Sequence, residues 1–235
     1  MADHKLLTIL AFFLSSSLFA QQKDAGLWTS VNFKGEFSKK LQWSIAPEVR
    51  LRDNMTNVGS VFSDLGLDVD LPKKFSLTLT YRFGQRNEID FFETRQRLQL
   101  GLGYKISYND WTINLATRYQ GNLQGVGNDR DADFVTTWRN KIAVKYEGFD
   151  KWELGTSYEF FHAYDDGVAL KWNDWRWTAS AERKINKRNF YSVGYLIQRD
   201  LVSNEPSTDF VVLVSYKHVF KKKKKEEQEQ AIITP

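Results

Sequence analysis

The stretch "LQLGLGYKISYNDWTINLATRYQ", residues 98–120, separates into two lists when every second residue is read. Leu98, Leu100, Leu102, Tyr104, Ile106 and Tyr108 form one face; Gln99, Gly101, Gly103, Lys105 and Ser107 form the other. Beyond a turn at Asn109 and Asp110, Trp111, Ile113, Leu115, Thr117 and Tyr119 oppose Thr112, Asn114, Ala116, Arg118 and Gln120. A period of two specifies β-strand, with one apolar and one polar face. The question is what lies against the apolar face: a protein core or lipid.

The same alternation recurs along the chain. Leu27, Thr29, Val31, Phe33 and Phe37 share one face, as do Leu41, Trp43, Ile45, Val49 and Leu51. In "VFSDLGLDVDL", Val61, Leu65, Leu67, Val69 and Leu71 oppose Asp64, Asp68 and Asp70. Phe75, Leu77, Leu79, Tyr81 and Phe83 oppose Thr78, Thr80, Arg82 and Arg86. Further strands are predicted near 91–108, 111–121, 134–147, 151–163, 171–185, 189–201 and 207–220. No helical period is found between Gly26 and Phe220. Eleven segments result, whereas single-chain bacterial barrels normally have an even number.

Connections alternate in length. "SKK", "PKK", "YND", "EGFDK" and "NKRN" read as tight turns. "DNMTNVGS", "GQRNEID", "GNLQGVGNDRDAD", "AYDDGVAL" and "SNEPST" read as longer loops. Short turns on one side and loops on the other match an outer-membrane barrel. Tyr108, Trp111, Tyr146, Phe149, Trp152, Phe190 and Tyr191 flank the tight turns, and Tyr81, Phe83 and Tyr119 lie near the opposite strand ends. Two aromatic belts suit a bilayer interface, because the rings are amphipathic. Trp28, on the polar face by parity, departs from the pattern.

The 235-residue chain carries a formal net charge of +4, 15% aromatics and no cysteine. That bias, part of it in the Lys221–Lys225 run, is too small and localised to argue for nucleic acid. Without cysteine there is no disulfide framework, thiolate metal site or cysteine nucleophile. At the N-terminus, a basic His4-Lys5 pair, the apolar "LLTILAFFL" and a small-residue region ending at Ala20 read as an export signal. The apolar run is too short to cross a bilayer core of about 30 Å. The expected organisation is therefore a signal peptide at 1–20, a barrel at 21–220 and a charged tail at 221–235.

Candidate chemistry is sparse. His162 and His218 share parity with the apolar face, and no G-x-S-x-G motif accompanies them. "DRDAD" resembles the start of a calcium loop, but Phe134 replaces the required glycine and Asn140 the bidentate glutamate. No catalytic residue, metal or cofactor is expected. The informative set is the polar face, which as a lumen would be lined by Glu48, Arg50, Arg52, Asp64, Arg82, Arg95, Arg97, Arg118, Arg139, Glu159 and Arg176. Ionisable groups at membrane depth are costly unless they face water or each other. A salt-bridged filling and a narrow pore both remain open.

The motifs "PEVRL" (Glu48, Arg50), "SDLGLDVDL" (Asp64, Gly66), "YRF" (Tyr81, Arg82), "ETRQRLQ" (Arg95, Arg97), "WRNK" (Arg139) and "YEFF" (Glu159) carry a resemblance. Together they resemble an uncharacterised family of Gram-negative outer-membrane barrels, domain of unknown function 2490. The resemblance implies an outer-membrane barrel, supplies no activity and transfers no catalytic residue. The last strand is similar, at Tyr216 and Phe220, to terminal strands read by the barrel-assembly machinery.

The sequence thus predicts an all-β protein: a transmembrane, antiparallel up-and-down barrel of about ten to twelve strands. It is expected in the outer membrane as a structural barrel or narrow pore with a charged, salt-bridged lumen, not an enzyme. A lipid-modifying outer-membrane enzyme and a soluble secreted binding barrel are the alternatives. Expected partners are outer-membrane lipids, lipopolysaccharide and, during insertion, the barrel-assembly machinery; the sequence identifies no soluble partner.

Overall fold

The computed structural model describes residues 25–88, 91–126, 133–165, 168–201 and 207–220. The expected signal peptide, the 221–235 tail and residues 127–132 of the calcium-like loop lie outside the described residues. The strands are β1 (Ala25–Glu36), β2 (Leu41–Arg52), β3 (Asn57–Asp70), β4 (Phe75–Asn87), β5 (Phe92–Tyr108) and β6 (Trp111–Val126). They continue as β7 (Asp133–Tyr146), β8 (Trp152–Asp165), β9 (Val168–Lys184), β10 (Asn189–Asp200) and β11 (Thr208–Val219). Each strand pairs with its sequence neighbours, and β1 pairs with β11, closing the sheet into a barrel.

An even count is not needed for that closure. In a meander each hairpin reverses direction, so an eleventh strand runs the same way as the first. The seam must then be parallel, and it is: Ala25 faces Phe210 and the register continues to Lys34 against Val219. All other neighbouring pairs are antiparallel. One consequence is that Ala25 and Phe220 lie at opposite ends of the barrel. Phe220 is fastened there by its N–H, which donates to the Lys34 carbonyl at 2.7 Å. Its ring stacks on Trp43 at 5.8 Å and meets His218 at 4.6 Å. On the other side of β1, the β1–β2 ladder runs Ser30–Glu48 and resumes at Phe33–Ile45. Pro47, with no N–H to donate, sits in the gap.

The five tight turns gather at one end. Asn109 adopts φ 49°, the left-handed conformation that asparagine tolerates in a two-residue hairpin. Ser38 Oγ accepts the Leu41 N–H at 3.1 Å, and Asn186 Oδ1 accepts those of Arg188 and Asn189 at 2.9 and 3.0 Å. These side chains satisfy turn amides and so fix where each strand reverses.

The opposite end departs from the expected layout. Residues 53–60, 121–133 and 163–171 were predicted as loops, yet β3 begins at Asn57, β6 runs to Val126, β8 reaches Asp165 and β9 starts at Val168. Polar composition misled here because a strand that projects into water is hydrated on both faces and loses its alternation. The β2–β3 turn is correspondingly tight, with Asp53, Asn54 and Met55 all at positive φ. Thr56 Oγ and the Asn57 amide bind the Asp53 carbonyl and carboxylate at 2.6 and 2.9 Å.

The two faces match the alternation. Leu65, Leu79, Leu100, Leu115, Ile142, Val193 and Val214 point outward, each 40–57% exposed. Aromatic pairs bound this band at the tight-turn end: Phe75–Tyr104 and Trp111–Tyr146 at 4.8 Å, and Tyr191–Tyr216 at 5.0 Å. Tyr119 and Trp138 meet toward the other end at 6.1 Å. The buried side chains lie inside: Phe62, Phe161, Leu196 and Val211, together with Gln120, Arg139 and Glu159. The fold is thus inside out relative to a soluble barrel, its apolar face outermost.

Candidate functional site

Eleven strands 4.8 Å apart and tilted near 40° enclose a backbone cylinder of about 11 Å radius. At mid-height, long charged side chains line this bore and meet one another along its wall. Glu159 of β8, 3% exposed, is the anchor. It accepts a fork from Arg139 of β7, Nε to Oε1 at 3.1 Å and Nη2 to Oε2 at 2.9 Å. Arg118 of β6 lies 3.6 Å and Arg176 of β9 3.9 Å from the same carboxylate. Gln120 Oε1 accepts from Arg139 at 3.1 Å, and Gln198 Oε1 from Arg176 at 2.6 Å.

Aromatic rings extend this cluster around the wall. The Arg139 and Arg176 guanidinium groups lie 4.6 and 5.1 Å from the Phe161 ring centre. Arg176 also lies 5.3 Å from Trp28 of β1, spanning the parallel seam and β10. Arg50 of β2 covers the same indole at 3.5 Å and reaches Phe62 of β3 at 4.7 Å. Arg82 of β4 covers the Phe62 ring at 3.5 Å. The outcome is a continuous ladder, Phe161–Arg176–Trp28–Arg50–Phe62–Arg82. Guanidinium groups desolvated against ring faces gain cation–π energy of about 0.5–2 kcal/mol each. Gly84, opposite Phe62, lets β3 and β4 approach closely here. A Cβ there would lie 2.2 Å from Phe62 Cβ and 2.3 Å from the Val61 carbonyl oxygen.

Carboxylates punctuate the ladder. Arg50 Nε donates to Glu48 Oε1 at 2.6 Å, and Arg82 forks onto Asp64 at 2.6 and 2.7 Å. Arg97 of β5 donates to the neutral Asn122 Oδ1 at 2.6 Å. Within the girdle, two pairs of arginines stand directly opposed on neighbouring strands, Arg82 beside Arg97 and Arg118 beside Arg139. Directly opposed like charges destabilise a sheet. Asp64 and Glu159 offset this only in part, because six guanidinium groups here face three carboxylates.

Of the residues predicted to line a lumen, Glu48, Arg50, Asp64, Arg82, Arg97, Arg118, Arg139, Glu159 and Arg176 enter this girdle. Arg52 and Arg95 do not. Arg52 lies 3.6 Å from Asp53 at the β2–β3 turn. Arg95 joins Glu93 and, at 2.9 Å, Glu88 at the β4–β5 end. Sequence reading missed Phe62 and Phe161, and met Trp28 only as an exception. The signal was parity: each is an aromatic on the charged face, two residues from Asp64, Glu159 or Ser30. Of the two histidines, His218 Nδ1 lies 2.7 Å from Asn189 Oδ1 near the tight-turn end. His162 stands in β8 opposite Trp138.

Fold and interior define the class: a closed, odd-stranded meander barrel with an apolar exterior and an arginine–aromatic girdle inside. The chain belongs to the family described as Protein of unknown function (DUF2490), whose model matches residues 25–209. Among solved structures it is similar to the beta domain of the Bordetella autotransporter Brka, at 10% identity and TM-score 0.48, over 79% of this chain and 86% of that one. It is also similar to outer-membrane expressed OmpT of Vibrio cholerae, at 10% identity and TM-score 0.38, over 68% of this chain and 54% of that one. No curated protein matches the sequence to a significant degree.

Proposed function

We propose that the chain is an outer-membrane β-barrel whose interior is closed by its own side chains, leaving at most a narrow path for small ions. The observation that carries this reading is the girdle: forked ion pairs and arginine–aromatic contacts run around the inner wall from β7 through β9 and β1 to β4. The apolar outer band supports a lipid environment, since more than a few hundred Å² of contiguous exposed apolar surface is rare on soluble monomers. Lipids and lipopolysaccharide would cover that band, and the barrel-assembly machinery would insert the protein. The role is structural or conductive rather than catalytic.

The surplus of guanidinium groups gives any residual path an anion preference, one that weakens at high salt as screening grows. Purified protein in planar bilayers tests this. The expected result is small conductance with weak anion selectivity, or none. Large, stable steps of porin size would overturn the filled-barrel reading and make solute transport the leading function.

A further inference from the structure

Between the girdle and the tight-turn end, the inner wall of β4, β5 and β6 forms a half-open cavity of about 150 Å³. Its polar lining is Ser76, Thr78, Lys105, Asn114 and Arg118. Three inward rungs build it: Gly101–Arg118, Gly103–Ala116 and Lys105–Asn114. The middle rung is small, so two long cations, about 13 Å apart along the strands, flank a shallow bay. The glycines give the lining side chains room. A Cβ on Gly101 would lie 3.2 Å from Arg118 Cγ, and one on Gly103 2.6 Å from Ser76 Oγ.

Pairing along this lining is sparse. Two lysines elsewhere in the interior are matched: Lys217 forks onto Glu182 at 2.6 and 2.9 Å, and Lys145 binds Glu153. In the cavity, among the described residues, the side chains of Lys105, Ser76 and Asn114 have no hydrogen bond or ion pair. Arg118 has only its loose 3.6 Å approach to Glu159. Thr78 alone is engaged, donating to Asp68 Oδ1 at 2.6 Å. Two cations, a hydroxyl and an amide thus converge on one small volume with no carboxylate in its lining.

We propose that this cavity binds a small oxyanion of the phosphate class, held between the Arg118 guanidinium and the Lys105 ammonium. Ser76 and Asn114 supply the flanking hydrogen bonds. Charge-assisted bonds to an oxyanion are shorter and stronger than neutral ones, and a tetrahedral anion can accept several at once. The anion also offsets the repulsion between Arg118 and Arg139, which face each other across β6 and β7. The site rests on the proposed reading of a charged interior that water reaches from the tight-turn end, where Lys105 is exposed.

Calorimetric titration of the full-length protein in detergent micelles with inorganic phosphate tests the assignment. Wild type should bind saturably. Lys105→Gln, at an exposed position, and Ala116→Leu, which fills the bay, should each weaken binding at least tenfold. Lys145→Gln removes one charge from the interior outside the cavity and should leave affinity within twofold. No saturable binding by wild type overturns the proposal. So does an equal loss in Lys105→Gln and Lys145→Gln, which would mean diffuse attraction. Absent phosphate binding with small anion-selective conductance overturns the cavity alone. Porin-sized steps with saturable binding overturn the filled-barrel reading and leave the cavity standing.

Discussion

Glu159→Gln is the most informative single change in this barrel. Glutamine keeps the size and one acceptor oxygen of Glu159, so the volume it fills is preserved. What is lost is the charge that Arg139, Arg118 and Arg176 share, at 2.9, 3.6 and 3.9 Å. At an effective dielectric near 20, a pair of unit charges 4 Å apart interacts by about 4 kcal/mol. Desolvation offsets much of that gain while the pair is intact, but deleting one partner leaves the others buried without compensation. Measured losses in such cases run about 3–5 kcal/mol. We expect that range for Glu159→Gln, read as a shift of the urea midpoint in heat-modifiability gels of micelle-held protein. Glu153→Gln is the reference, because its partner Lys145 is 42% exposed and the pair should contribute less than about 1 kcal/mol. In a double-mutant cycle, Arg139→Gln should recover about 2–3 kcal/mol of the Glu159→Gln loss. Equal effects at Glu153 and Glu159, or additive Glu159 and Arg139 losses, would refute the view that the girdle is an electrostatic unit.

Three further outcomes follow from the geometry. Leu100→Arg, on the outer band at 50% exposure, should cost about 2–4 kcal/mol in lipid, whereas Arg97→Gln should leave insertion intact; folding titrations into vesicles measure both. Gly84→Ala should cost about 1–3 kcal/mol in the same assay, because the added methyl meets Phe62 Cβ and the Val61 carbonyl and the β3–β4 backbone must shift, and Phe62→Leu, which keeps those atoms, should not recover it. Single cysteines at Ala25 and Phe220, introduced into a chain with none of its own, should label from opposite sides: a membrane-impermeant maleimide applied to intact cells should reach position 25 and not 220.

Much of this barrel was legible because one physical rule governs each strand: a residue belongs to the inside or the outside, and parity decides. The eleven segments and the five tight turns follow from that rule. The parallel seam was not legible, since pairing between chain-distant β1 and β11 leaves no local mark; only the odd count hints at it. Strand ends such as Gly121–Val126 were read as loop because water on both faces erases the alternation. Within the site, the charges were visible one by one, but their partners were not. The convergence of Arg118, Arg139 and Arg176 on Glu159 joins four strands, a fact of barrel closure rather than of any segment. Trp28, Phe62 and Phe161 broke the pattern in sequence because they serve the arginines and not the exterior.

The central claim is that the apolar face of these strands meets lipid and the polar face fills the barrel. Spin labels placed one at a time from Thr112 to Tyr119 of β6, in protein reconstituted into vesicles, test it most directly. Accessibility to oxygen, which concentrates in the bilayer, should be high at Ile113, Leu115, Thr117 and Tyr119 and low at Thr112, Asn114, Ala116 and Arg118. The opposite phase, with the odd positions shielded from every quencher and the even ones open to a water-soluble nickel complex, would mean a soluble barrel with an apolar core and would contradict the account.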